Sequence, residues 1–383
     1  MSVRRLVHIA TVPESLAFLR GQASFMRGRG IETTVITSPG EALDAFAVSE
    51  DVASYAVRMP RAITPGADTV ALASLVAILR RIRPDIVHSH TPKGGLLGTT
   101  AAFLARVPSR IYHMRGLRFA ALPVGGRRQL LTMAERTSCA LATRVLCVSH
   151  SLRDVAIAER LCAPSKIQAL GRGSGQGVDA LGRFEPDTLP VERRSQVRAE
   201  HGIPDDARVL GFVGRIVRDK GISELVAAWR GLRDVYPDLH MLIVGPFEEE
   251  DPIDPADRTL LETDCRVHLT GFRRDTERFY GGMDVLALPT YREGFPNVPL
   301  EAAAMRLPVV ATQIPGCVDA VVDGFTGTLV SARDAVALRD AIALYLANPD
   351  LARAHGDAGR VRVLAEFRRE TIWEGIATTY DGI

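Results

Sequence analysis

The chain has 383 residues, 46% hydrophobic and 24% charged, with a formal net charge of +2. That length fits two domains of about 100–200 residues each, and the composition is that of a globular protein. Near-neutrality excludes nucleic-acid binding driven by bulk charge, and no stretch approaches the ~20 apolar residues of a membrane span.

The first apolar run lies in MSVRRLVHIATVPESLAF, behind two arginines. His8 interrupts it, Pro13-Glu14 ends it and no small-residue cleavage pattern follows, so it predicts a buried strand rather than a signal peptide. The five cysteines, Cys139, Cys147, Cys162, Cys265 and Cys317, are scattered without a CxxC. They predict reduced thiols and, with no export signal, a cytoplasmic protein. Next come a helical stretch, LAFLRGQASFMRGRG, and a strand, ETTVITSP. The alternation continues through LASLVAILRRIRP, DIVHSH, GGLLGTTAAFLARV, SRIYHM, QLLTMAERTSCALA and RVLCVS. It restarts after residue 200 with RVLGFVGR, the helix ISELVAAWRGLRDVYP, then HMLIVGP, CRVHLTGF, MDVLALPT, PVVATQ and GTLV as strand signals. Repeated βαβ predicts α/β domains with parallel sheets. The restart predicts two Rossmann-like domains, 1–185 and 186–365, with LGRGSGQGVDALGRFEPDTLPVERR as the hinge. Residues 366–383 are expected to form a helix that packs back on the N-terminal domain. Ligands of such sheets bind beyond the carboxyl ends of the strands.

Two segments place chemistry at those ends. No G-x-G-x-x-G follows the first strand, and the glycines of GRGSGQG alternate, which argues against a dinucleotide enzyme. In GFVGRIVRDKG, Arg215 leaves the strand and Lys220 precedes the next helix, a pair of cations suited to a diphosphate. In TYREGFPNVPLEAAA a strand, a turn and a helix follow one another. Gly294 eases the turn, Asn297 is a good N-cap and Pro299 is tolerated in the first helical turn. The helix start would carry positive partial charge, and Glu293 and Glu301 can both reach one ligand there. As ordinary surface features, the cations would be solvated loop residues, Glu293 a turn acid and Glu301 a first-turn helix acid.

Other residues carry weaker signals. His88 and His90 share one face of a strand, but with no third ligand near them, and no D-x-D in the cleft motifs, packing or acceptor contact is expected rather than a metal. RGLRFAALPVGGRRQLL interleaves Arg115, Arg118, Arg127 and Arg128 with Phe119, Leu122, Leu130 and Leu131, which predicts contact with anionic lipid. Lys93, ahead of Gly94-Gly95 and a helix, predicts a cation for an acceptor diphosphate.

Taken in order, GRIVRDKG and EGFPNVPLEA resemble the retaining GT-B glycosyltransferases of the large nucleotide-sugar family that carries an E-x7-E motif. The resemblance runs over nearly the whole chain. PDIVHSHTPKGGLLG, RVLCVSHSLRD, GSGQGVDALGRF and VVATQIPGCVDAVVDGFTGTLV look like stretches of bacterial members that build capsular, exopolysaccharide and lipid-linked glycans. It implies two Rossmann-like domains facing each other across a cleft, and transfer with retention from a nucleotide sugar, usually UDP-linked, without cofactor or metal. By that resemblance Arg215 and Lys220 hold the donor diphosphate, Glu293 the sugar hydroxyls and Glu301 the ribose. Gly294 and Phe295 offer N–H groups, Gly214 and Asn297 belong to the donor site, and the base is read near Gly271 and Phe272. Many relatives have a His in a VHG-like run; here the run is HMRG, with Arg115 at that position and His113 two residues earlier. Arg115 is expected to meet a donor or acceptor phosphate, and His113 to pack in the core. Lys93, His90, Arg118 and Ser15 are the expected acceptor contacts. The implied partners are a nucleotide sugar and a polyprenyl-diphosphate-linked acceptor reached by peripheral membrane contact, with no nucleic acid. A soluble small-molecule acceptor is one alternative, and a sugar-nucleotide epimerase or hydrolase with the same donor site another. A two-lobed sugar-binding protein fits poorly with unpaired cysteines and no export signal.

Overall fold

The computed structural model describes residues 3–188 and 192–382; residues 189–191, within the expected hinge, and the first two and last residues lie outside the described residues. Contacts divide the chain into two units, Met1–Gln176 with Glu370–Ile383, and Gly177–Arg369. The change of unit falls ahead of residue 185 because Val178 is already tied into the second one. Its N–H donates to the Phe367 carbonyl at 2.8 Å, and Phe184 lies in that unit's core.

The first unit is built on β1 (Arg4–Ile9), β2 (Ile31–Thr37), β3 (Ala53–Ala56), β4 (Ile86–His90), β5 (Ser109–Met114), β6 (Arg144–Cys147) and β7 (Ile167–Ala169). They form one parallel sheet in the order β3-β2-β1-β4-β5-β6-β7. β4 is buried along its whole length, as a central strand covered on both faces must be. The short edge strands β3 and β7 carry no strong apolar run, which is why the sequence pattern does not announce them. The stretch expected as one helix after β1 is instead a 3-10 turn, Pro13–Leu19, and a helix, Gln22–Arg27. Gly21 between them takes φ +79, a left-handed angle that ends one element and redirects the chain. The last helix, Arg369–Asp381, buries Ile372, Ile376, Ala377 and Tyr380 against Leu6, Ile86, Ile111 and Leu146 of this sheet.

The second unit has β8 (Arg208–Val213), β9 (Leu239–Val244), β10 (Val267–Leu269), β11 (Val285–Leu288), β12 (Val309–Thr312) and β13 (Gly327–Val330). Its parallel sheet runs β10-β9-β8-β11-β12-β13. The strand order reverses between β8 and β11 here, and between β1 and β4 in the first unit. Such switch points open a crevice at the carboxyl ends of the strands. Among the described residues no helix is long and apolar enough to cross a membrane.

Candidate active site

In the second unit the segments leaving β8 and β11 meet. After β8 the chain passes Gly214 and Arg215 into a 3-10 turn, Arg218–Lys220, and then the helix Ile222–Arg233. Gly221 joins turn to helix at φ +70, and a Cβ there would lie 1.9 Å from the Pro289 carbonyl oxygen, so only glycine lets the two segments approach. Asp219 ties them further. Its carbonyl accepts from the Tyr291 N–H at 2.9 Å, its carboxylate pairs with Arg292 at 2.7 Å, and its N–H donates to Asp251 at 2.8 Å. The result is an ion pair between Lys220 Nζ and Glu293 Oε1, with only 16% and 15% of the two side chains exposed.

Arg215 is more open, half exposed, and pairs with Glu248 at 2.6 Å. The carboxyl ends of β8, β9 and β10 are drawn together through backbone: Gly214 N–H donates to the Val244 carbonyl at 2.9 Å, and Gly245 bridges Gly271. Phe272, next to Gly271, is 68% exposed. Gly294 lies under Gly316, whose φ of +86 and close approach to the Gly294 carbonyl leave no room for a side chain. The Phe295 ring packs on Phe367, 5.6 Å between centroids. Asn297 stands at the N-cap position of the helix Val298–Ala304 but its side chain makes no capping hydrogen bond, a correction to the sequence reading. Its φ of −80 and ψ of −26 are already helical, whereas a capping side chain needs an extended backbone. Glu301, in the first turn, accepts at Oε2 from the Tyr280 hydroxyl at 2.8 Å, and burial pushes its carboxyl above the usual range while Tyr280 opposes that shift.

The first unit gathers a different group. His8 on β1 and His88 on β4 are register partners, as are His90 on β4 and His113 on β5. All four rings are buried. His8 Nδ1 and His90 Nε2 are 2.8 Å apart, His88 Nε2 and His113 Nδ1 3.2 Å, and His88 Nδ1 meets the Tyr380 hydroxyl at 2.6 Å. Arg115 Nε donates to His90 Nδ1 and its Nη2 to the Gly175 carbonyl, both at 3.4 Å, while the guanidinium lies 4.3 Å over the Phe18 ring. Gly175 makes space for it, since a Cβ there would sit 2.4 Å from Arg115 Nη1. Burial lowers His8 to about 3, with Arg115 adding to the effect, and lowers His88, His90 and His113 well below the usual imidazole range. The rings are therefore neutral at pH 7. Burial also brings Arg115 down to about 9, which leaves it a cation at that pH.

The sequence offered no third histidine beside His88 and His90; the fold supplies His8, and ligating atoms of the three lie within 4.8 Å of one another. That group includes no carboxylate, and the adjoining guanidinium opposes a second buried cation. His90 is accordingly a buried support for Arg115 rather than an open acceptor contact. Lys93 is also committed: its ammonium pairs with Asp68 at 2.6 Å and donates to the Pro60 and Ala62 carbonyls. It fastens the segment before the helix Pro65–Ile82, where an acceptor cation was expected. Ser15 is half-buried in the 3-10 turn, and Arg118 is exposed.

Comparison with known proteins bears on family and fold. Residues 193–362 match the family described as "Glycosyl transferases group 1" and residues 17–173 the "Glycosyl transferase 4-like domain". The capsular polysaccharide biosynthesis glycosyltransferase CapM of Staphylococcus aureus is 33% identical over 381 residues, covering 100% of this chain and 98% of its own. The Escherichia coli UDP-Gal:alpha-D-GlcNAc-diphosphoundecaprenol alpha-1,3-galactosyltransferase is 28% identical over 269 residues, 70% of this chain and 67% of its own. Among solved structures, Anabaena Alr3699/HepE in complex with UDP and glucose superposes with a TM-score of 0.83 at 19% identity, over 99% of this chain and 100% of its own. The two parallel-sheet units are those of the GT-B fold, and the chain belongs to the group 1 glycosyl transferase family.

Proposed function

We propose that this glycosyltransferase moves a sugar, with retention and without a metal, from a UDP-sugar to a polyprenyl-diphosphate-linked acceptor in polysaccharide biosynthesis. The observation that carries the reading is the pairing of Lys220 with Glu293 at the β8–β11 switch point, on the segment that Arg215 opens as it leaves β8. A diphosphate placed there meets two cations, and Glu293 is within reach of the sugar it carries. Arg215 and Lys220 would stabilise the charge that develops on the leaving diphosphate, the part otherwise played by a divalent ion. Glu301 would accept from the ribose hydroxyls. Arg115, a cation held with no carboxylate among the contacts described above, would meet a phosphate of donor or acceptor.

Donor class is tested by thermal protection with a panel of UDP- and GDP-sugars. A ligand at 100 times its Kd adds about 2.7 kcal/mol to the stability of the state it binds. A shift with UDP-sugars is expected, and its absence overturns the uridine reading. The reaction itself is expected to run at full rate in EDTA and to give an α-linked product from an α-linked donor. Inversion seen by NMR, or activity lost to EDTA and restored by a divalent ion, would count against the proposed mechanism.

The lipid-linked acceptor is supported by the name of the Escherichia coli relative and by one surface of the first unit. Helix Gly126–Leu141 exposes Leu130 at 52% and Met133 at 63%, with Val124 at 87% just before it, beside exposed Arg118 and Arg127. Three residues expected on that surface are elsewhere, the first being Arg115, which is turned against His90 and the Phe18 ring. Phe119 is fully buried, and Arg128 pairs with Glu159 at 2.9 Å. The variant that tests the surface is therefore Arg118→Glu with Arg127→Glu. With each cation worth ~1 kcal/mol at an anionic surface, this double reversal should cut binding to phosphatidylserine vesicles at least tenfold. The wild type should bind more weakly at high salt. A wild type that ignores such vesicles and glycosylates a water-soluble acceptor equally fast favours a small-molecule acceptor instead. Release of free sugar or of an epimerised donor, without transfer, indicates the hydrolase or epimerase.

A further inference from the structure

Glu301 lies in the first turn of a seven-residue helix, Val298–Ala304. What fixes the side chain comes from a different segment. Tyr280, in the helix Thr276–Gly281, is fully buried, with its ring edge-on to Phe184 at 6.0 Å. From that fixed ring the hydroxyl reaches Glu301 Oε2 at 2.8 Å. Among the described residues Glu301 Oε1 has no protein partner, and it is not sealed from solvent. One oxygen is thus anchored by the buried ring, while the other, on a residue of intermediate exposure, is left to a ligand. We propose that Tyr280 is the positioning residue for the donor's ribose: it holds Glu301 in one rotamer, so that the carboxylate's other oxygen accepts from a vicinal diol. This rests on the donor reading given above.

The reasoning is energetic as well as geometric. A carboxylate drawn out of water tends to pick up a proton, and a protonated Glu301 would offer one acceptor fewer to a diol. The charged groups around it divide in sign: Arg183 and Arg369 favour the ionised form, Glu277 opposes it, and the Tyr280 hydroxyl favours it by direct donation. The hydroxyl itself stays protonated, since burial and the neighbouring carboxylate both push its pKa upward. Phenylalanine keeps the buried ring and its contact with Phe184 while removing only the donated proton. Its effect therefore reads the hydrogen bond and not the packing.

The test uses the full chain and UDP-glucose, whose diphosphate, unlike that of UDP, does not titrate near neutrality. Tyr280→Phe is expected to melt within a few degrees of the wild type and to weaken UDP-glucose binding about three- to tenfold, less than the full worth of a hydrogen bond to a charged group because that bond is lost from the free protein as well as from the complex. The acid limb of that binding should also move to higher pH, because the carboxylate has lost a group that favours its ionised form. Glu301→Gln should weaken binding and abolish the limb, and adding Tyr280→Phe to it should cost nothing more. A Tyr280→Phe protein with the wild-type affinity and pH dependence overturns the inference while leaving Glu301 in place. Unchanged binding in Glu301→Gln, or no binding of UDP-glucose by the wild type, overturns the donor reading beneath it.

Discussion

Lys220→Ala is expected to lower kcat by about a hundredfold or more, and Arg215→Ala by less. A donor that stabilises negative charge only as it develops is worth on the order of 2–4 kcal/mol of transition-state energy, and the two cations differ in how much of that they can supply. The Lys220 side chain is 16% exposed and fixed against Glu293, whereas Arg215 is 51% exposed, pairs with Glu248 and is screened by solvent. Removing Lys220 also leaves the half-buried Glu293 carboxylate without its partner, a penalty of roughly 1–3 kcal/mol in stability. That stability loss should be largely recovered in Lys220→Ala with Glu293→Ala, because a coupled pair is non-additive. The activity loss should not be. Steady-state kinetics and melting of the two single variants and the double variant separate the contributions. Turnover near the wild-type level in Lys220→Ala, with the protein folded, would remove Lys220 from the reaction.

Much of the framework behind that prediction is legible in the sequence, for a local reason. The strands that carry the site, such as β8 and β11, are short apolar runs ended by glycine or proline, and a parallel sheet buried on both faces needs such runs. Arg215, Lys220, Glu293 and Glu301 stand out because each lies in the loop or the first helical turn that follows a strand. What binds them together is not local. The pairing of Lys220 with Glu293, the anchoring of Glu301 by Tyr280 and the tie from Asp219 to Arg292 join segments about 20 to 70 residues apart along the chain. No periodicity encodes them. His8 illustrates the same point: it reads as an interruption in an apolar strand, and only the β1–β4 register places it beside His88. Lys93 shows the converse, a cation before a glycine pair that reads as a phosphate contact until Asp68 claims it. Local chemistry marks a charged side chain as available; tertiary pairing decides whether it is.

Acid is expected to destabilise the first unit steeply, and the buried histidines are the reason. In the unfolded chain an imidazole protonates as pH falls through its ordinary value of 6.5, while His8 in the folded unit resists until about 3. His88, His90 and His113 are lowered in the same direction, by burial first and by the neighbouring rings and Arg115 after it. Between those values the unfolded state binds more protons, so stability is complete above about pH 6.5 and drains away as pH drops toward 3. Each ring that stays neutral contributes about 1.4 kcal/mol per pH unit in that window. The His8 ring alone would remove about 2 kcal/mol by about pH 5, and the other three act in the same direction, against a total of only ~5–15 kcal/mol for a typical protein. One buried acid works the other way. Glu135 is pushed up to about 7 by burial, which the hydrogen bond donated by the Tyr112 hydroxyl only partly opposes, so its neutral form stabilises the folded unit at lower pH and that stability is lost as pH rises through this value. A single carboxyl titrating between about 4.5 and 7 offsets only part of the four imidazoles. Urea unfolding followed from about pH 7.5 to about pH 5 should therefore show a net fall in stability. His113→Phe, which keeps a flat ring in place while removing one titrating site, should flatten the slope by close to one proton, and Glu135→Gln should steepen it. An unchanged slope in His113→Phe would mean that the folded stack already carries the proton, and that Arg115 rests on a charged support rather than a neutral one.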